Sequence, residues 1–146
     1  MILYMEKVLI DANFIIALLC SEDSCHAKAV SLSEELPQKQ VQWVLNNAIL
    51  YEILTVLSKR RVKPLARLFY QTVKQEGVVQ FVYITHDIEE KAFIYFGRMR
   101  SNNISFFDCT LFATADAYNT KYIVSFDRHL RNKTAHTIIH APNQLS

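Results

Sequence analysis

Val8-Leu9-Ile10-Asp11 decides the reading of this chain: a short apolar run of strand character ends in a carboxylate, and a segment of helical period begins at Asn13. The same figure returns at Tyr122-Ile123-Val124-Ser125-Phe126-Asp127. In an open parallel sheet, ligands bind just past the carboxyl ends of the strands, which is where both acids fall. Between the two runs, short apolar stretches alternate with longer helical segments, the pattern of an α/β domain with a parallel sheet. We therefore expect one domain over residues 1–146, with a central, mostly parallel sheet flanked by helices.

Working outward, Asn13 to Cys20 reads as a first helix, and Ser24 as the cap of a second that runs to Leu36 and is closed by Pro37. Val41 to Leu45 is a strand. Asn46 or Asn47 can cap a helix to about Arg61, and Pro64 suits the first turn of another reaching Lys74. Gly77 ends this hairpin and Val78 to Tyr83 is strand-like. Thr85, followed by Asp87, Glu89 and Glu90, starts a helix toward Met99. Ser105 caps a helix over Phe106 to Asn119, and strands follow at Tyr122 to Ser125 and Thr137 to Ile139.

Composition sets the bounds. At 146 residues, 51% hydrophobic and 21% charged, the chain can bury one compact core. A net charge of +2 gives little long-range pull on nucleic acid, so any such affinity rests on local patches. Three cysteines, Cys20, Cys25 and Cys109, leave one unpaired in any disulfide scheme, and we expect a reduced, cytoplasmic protein. Glu6 and Lys7 interrupt the N-terminal apolar residues too early for a signal peptide, and no stretch is long enough to cross a bilayer.

Four carboxylates stand where stability alone would favour apolar residues: Asp11, Glu52, Asp108 and Asp127. Taking about 100° per residue, Asp108 falls inside the arc of Phe107, Leu111, Phe112, Ala115 and Tyr118 on its helix. Glu52 borders the stripe Leu45, Ile49, Ile53, Val56 and Leu57. Each has a plainer explanation: Asp108 as a first-turn acid serving its own helix, Glu52 as a solvated border residue, Asp11 and Asp127 as turn or cap aspartates. Their conjunction is what points to a cation, because unpaired acids taken out of water are costly.

These residues resemble the PIN-domain ribonucleases. The likeness rests on Leu9-Ile10-Asp11-Ala12-Asn13, Asn47-Ala48-Ile49-Leu50-Tyr51-Glu52, Ile104-Ser105-Phe106-Phe107-Asp108 with Ala113 and Ala115, and Ile123-Val124-Ser125-Phe126-Asp127 with His129 and Leu130. Chain size and the helical hairpin after Glu52 look most like the toxins of VapBC-type toxin–antitoxin modules. The resemblance implies an endoribonuclease dependent on Mg2+ or Mn2+, with RNA as substrate, a cognate antitoxin as inhibitor and a homodimeric assembly. It implies Asp11, Asp108 and Asp127 as nearer metal ligands and Glu52 as holder of a second metal or a water. Two positions depart from the pattern: Asn13 and Ser125 stand where the family often has Ser or Thr, and Thr. Both residues retain hydrogen-bonding capacity toward a bound water. A stand-alone housekeeping nuclease and a silent RNA-binding fold are the rival implications.

Other residues read more plainly. Asp116, at about 80° and roughly 12 Å from Asp108 along the helix, cannot share one ion with it, and a surface role is expected. Lys59, Arg60, Arg61, Lys63 and Arg67 read as a solvated helix end, with RNA contact as the alternative; Arg98, Arg100, Arg128 and Arg131 have the same status. Cys20, Cys25 and His26 lack the second ligand pair of a zinc site. His136 and His140 flank an extended segment and share no helical face. A phosphatase with a strand-end nucleophile would call for a second acid at position 13, where this chain has Asn13.

Overall fold

The computed structural model describes residues 5–145; residues 1–4 and 146, which the expected domain includes, lie outside the described residues. Five strands form one sheet: β1 (Glu6–Ile10), β2 (Val41–Asn46), β3 (Gln80–Val82), β4 (Tyr122–Val124) and β5 (Thr137–Ile139). Their order is β3-β2-β1-β4-β5, and every pairing is parallel. The helices are α1 (Ala12–Leu19), α2 (His26–Gln38), α3 (Asn47–Lys59), α4 (Lys63–Val73), α5 (His86–Arg98) and α6 (Phe106–Ala117). A short 3₁₀ turn spans Arg128–Leu130. Among the described residues, no helix is long and apolar enough to cross a membrane.

Parallel strands buried on both faces need continuous apolar runs, and Val8, Leu9, Val44, Leu45, Ile123 and Val124 are fully buried. From Cys109 to Ala115, α6 is buried on every side, so it is a central helix rather than an amphipathic surface one. That departs from the expected one-sided arc: Phe107 is 46% exposed, because the first turn projects beyond the core.

Several element ends also differ. Ser24 does not cap α2; Cys25 precedes it without a side-chain cap, and Pro37 lies inside the helix, not after it. A proline in the last turn removes only one N–H from a ladder about to end. β3 is confined to Gln80–Val82, since β2 offers partners only at Val44, Leu45 and Asn46. Near its end α6 gives way to Asn119 in the left-handed region at φ 52°, a conformation asparagine tolerates. The caps at Asn46, Thr85 and Ser105 form as expected, each side chain accepting from a backbone N–H of the first turn.

Candidate metal centre

The sheet register lines up the site. Ile10 pairs with Val124 and Val124 with Ile139, so the next residues, Asp11, Ser125 and His140, share one level at the carboxyl edge. Two backbone bonds carry the ladder past the strands, Asp11 N–H to Val124 carbonyl at 3.1 Å and Ser125 N–H to Ile139 carbonyl at 3.0 Å. Leu9 pairs with Val44, which places Asn46 level with Asp11 on the other side.

Asp11 is 5% exposed and caps α1, one oxygen accepting from Ala12 N–H at 2.7 Å. Its other oxygen accepts from Ser125 Oγ at 2.6 Å and Asn13 Nδ2 at 3.3 Å. Burial raises its pKa to about 7; the Ser125 bond opposes this, and the nearby charges of Asp108 and Glu52 add to it. A buried carboxylate that keeps its proton to neutrality, beside two more acids, is a strained donor set that a cation would relieve.

Asn13 and Ser125 are committed within the protein. Ser125 Oγ donates to Asp11 and accepts from Asn13 Nδ2 and from Asp127 N–H, both at 3.1 Å. Asn13 Oδ1 accepts from Phe126 N–H at 2.9 Å. These bonds fix Asp11 against the exit of β4 and so set the start of the Asp127 turn. Asp127 in turn caps the 3₁₀ helix, accepting from His129 N–H at 2.9 Å.

Glu52 lies half-buried on α3, and Asp108 in the first turn of α6. Asp108 completes a capping box: Ser105 N–H donates to its carboxylate at 2.8 Å, and Asp108 N–H donates to Ser105 Oγ at 3.1 Å. Its service to its own helix is thus real, yet burial still raises its pKa, with Asp127 adding to the rise, against the pull of the Ser105 bonds and of His129. Glu52 is raised by burial and by Asp108. Charge effects link Asp11 with Asp108 and Glu52, and Asp108 with Asp127, so the four acids are electrostatic neighbours at the carboxyl edge. Among the described residues, no three Asp, Glu, His or Cys side chains converge closely enough to enclose an ion by themselves. The donors are all hard oxygens, and they suit a cation that keeps several waters while bound by a few carboxylates.

One cross-helix bond that pattern reading missed holds this arrangement. Asn46 caps α3 through Ile49 N–H at 2.8 Å and donates to Thr114 Oγ1 of α6 at 3.1 Å, both groups being fully buried. That bond ties the helix of Glu52 to the helix of Asp108. A polar residue ending an apolar strand, level with Asp11, was the available signal.

Asp116 is partly exposed, at 24% for its side chain, but bound into a network rather than simply solvated. Its carboxylate accepts from Tyr95 Oη at 2.5 Å, Lys91 Nζ at 3.0 Å and His136 Nε2 at 2.9 Å, joining α5, α6 and the segment before β5. As expected, it lies apart from the acid cluster. Among the basic residues after α3, Arg60 pairs with Asp23 at 3.2 Å. His26 Nδ1 meets the Ala17 carbonyl at 2.8 Å, and Cys20, Cys25 and Cys109 are free thiols.

The sequence model of the PIN domain matches residues 8–135. No curated protein matches the sequence. Among solved structures, the chain is similar to Mycobacterium tuberculosis VapC20, a sarcin–ricin loop cleaving toxin: TM-score 0.72, 27% identity, 83% of this chain and 90% of that one. It also shares its fold with a chain of a toxin–antitoxin complex from Klebsiella pneumoniae, at TM-score 0.65 and 15% identity over 91% of this chain and 96% of that one. FitAcB from Neisseria gonorrhoeae aligns at TM-score 0.68 and 12% identity, over 91% and 96%.

Proposed function

Because the chain belongs to the PIN domain family, and is built like the VapC toxins, we propose that it is a metal-dependent endoribonuclease, the toxin of a toxin–antitoxin pair, acting in the cytoplasm. The observation that carries this reading is the carboxyl edge itself. Four carboxylates from the end of β1, from α3, from α6 and from the β4 exit gather there, and burial, with their neighbours' charges adding, raises the proton affinity of three of them.

Asp11, Asp108 and Asp127 are the residues that would hold Mg2+ or Mn2+, partly through waters, with Glu52 at the margin. A bound divalent cation supplies Lewis acidity and neutralises charge on the phosphate. The chain's own groups do the rest. Ser125, Asn13 and Ala12 N–H hold the Asp11 carboxylate in one orientation. Glu52, half-buried with its proton affinity raised, is a better proton acceptor near neutral pH than an ordinary carboxylate, and it takes the proton of the attacking water. His129 lies close enough to Asp108 to favour its charged form.

We assign two partner surfaces. A cavity of about 290 Å³ between α3 and α4, with Leu54, Ala66 and Tyr70 beside the polar rim of Ser58, Lys63, Arg67 and Gln71, suits an amphipathic antitoxin segment that presents a cation to the acids. Phe93, Ile94, Phe96, Phe106 and Phe107 are exposed on α5 and α6, an apolar patch that suits a second copy of the chain.

Cleavage of RNA with Mn2+ and with chelator, in wild type and in Glu52→Gln and Asp108→Asn, tests the activity. We expect metal-dependent cleavage, with a loss of at least about a hundredfold in either variant; wild-type rates in both would overturn the site. Expression of the chain alone should arrest growth of its host, and harmless expression of an active nuclease would mark a housekeeping enzyme instead.

A further inference from the structure

Beyond the acid cluster, a groove of about 420 Å³ runs along the outer strand β5, from Thr134, His136 and Thr137 at its amino end to Arg131 and His140 near the carboxyl edge. Arg131 Nε is buried there, with no hydrogen-bond partner among the described residues. A buried guanidinium donor left unmatched is costly, so the position calls for an acceptor. Lys28, on α2, borders the same place: it and Arg131 both lie near enough to His140 to disfavour its protonation, in addition to the effect of burial. Neither Arg131 nor Lys28 joins an ion pair among the described residues. Arg131 and His140 line the groove, Lys28 lies within electrostatic reach of it, and no acid is among the lining residues. The other histidine of the groove, His136, is taken by Asp116.

We propose that this groove is a phosphate site, in which Arg131, Lys28 and His140 hold a backbone phosphate of the RNA strand other than the one being cleaved. This rests on the nuclease reading and adds where the strand runs. Asp11, Ser125 and His140 stand level on adjacent strands, which puts His140 about 10 Å from Asp11, two strand spacings along the edge. The RNA passes from the acids over the Asp127 turn, and a neighbouring phosphate settles against Arg131. The planar fork of arginine suits a phosphate's two oxygens, and the site would set strand position without reading bases.

Two measurements on the full chain test this. Inorganic phosphate is titrated while the His140 ring signals are followed by NMR. Saturable shifts in wild type, lost in Arg131→Gln, are expected; unmoved His140 signals would overturn the anion site. RNA binding is measured by fluorescence anisotropy on protein carrying Asp11→Asn, so that the strand stays intact. Adding Arg131→Gln or Lys28→Gln should weaken binding about tenfold and lower the slope of log affinity against log salt by about 0.7. Lys39→Gln, at the amino end of β2, should change neither. Lys28 is exposed, so its variant answers even where Arg131→Gln perturbs folding. Unchanged affinity and slope in both variants would overturn the RNA assignment, as would parent protein that binds no RNA. A His140 response to phosphate in a protein that cleaves nothing would uphold the anion site and sink only the nuclease reading.

Discussion

Asp11 shows how much one residue can carry. Its pKa of about 7 lies well above an ordinary carboxylate's, so between roughly pH 4 and pH 7 the folded state holds a proton that the unfolded chain has released. Stability of the metal-free protein should therefore be fully present at low pH, as far as Asp11 is concerned, and fall as pH rises through that window. The expected loss between pH 5 and pH 8 is roughly 2–4 kcal/mol, to be read from urea unfolding in chelator. Asp11→Asn should remove most of that slope and leave the protein at least as stable as wild type at pH 8. A steep slope retained in the variant would move its origin elsewhere. The neighbouring Ser125 belongs to the same unit: Ser125→Ala deletes the donor that holds Asp11 at 2.6 Å and frees Asn13 and Asp127 N–H at once. We expect a destabilisation of about 1–3 kcal/mol, together with reduced cleavage.

At the scale of elements, the site depends on how α3 and α6 are tied to each other. Asn46 ends β2, caps α3 and bonds Thr114 across to α6. Asn46→Ala should cost about 2–3 kcal/mol, combining a lost cap with a buried hydroxyl left short of a donor. Thr114→Val should cost less, since the cap survives; an equal cost would assign the effect to the bridge alone. At the other end of α6, burial raises the proton affinity of Asp116, but the Tyr95 and Lys91 bonds and the His136 interaction outweigh it and leave the pKa lowered. Its contribution is thus present at neutral pH and lost on acidification through its depressed pKa. Asp116→Asn should lower Tm by about 2–4 °C, a loss near 1 kcal/mol for a half-exposed cluster, while leaving RNA cleavage unchanged. A cleavage defect would draw Asp116 into the catalytic machinery.

For the molecule as a whole, the acids make folding and cation binding one equilibrium. The folded chain assembles the carboxylates and the unfolded chain disperses them, so Mg2+ or Mn2+ should raise Tm by mass action. The rise should be larger at pH 8 than at pH 5, where the Asp11 proton competes with the ion. Asp127→Asn should shrink it, and an undiminished rise would remove Asp127 from the ligand set. Calorimetry at the two pH values reads the effect without any assay of cleavage.

The parallel α/β order was legible in the chain because it is a local matter. Runs such as Val8 to Ile10 and Ile123 to Val124 have no polar face to expose, and Asn46, Thr85 and Ser105 stand where backbone N–H groups need an acceptor. The four acids were legible for the same reason, as charges that the surrounding apolar residues do not explain. Other features follow only from contacts between distant segments. Asn13 and Ser125, 112 positions apart, become partners because β1 and β4 are neighbours in the sheet. Asp116 is bound into a network by Tyr95, Lys91 and His136. α6 is covered on every side because helices and sheet close around it, which a one-sided apolar arc does not foretell. His140 reaches the level of Asp11 through a register carried by backbone hydrogen bonds. Periodicity and capping are written residue by residue along the chain, whereas partnership between side chains is set by strand order and register, which exist only once the sheet has formed.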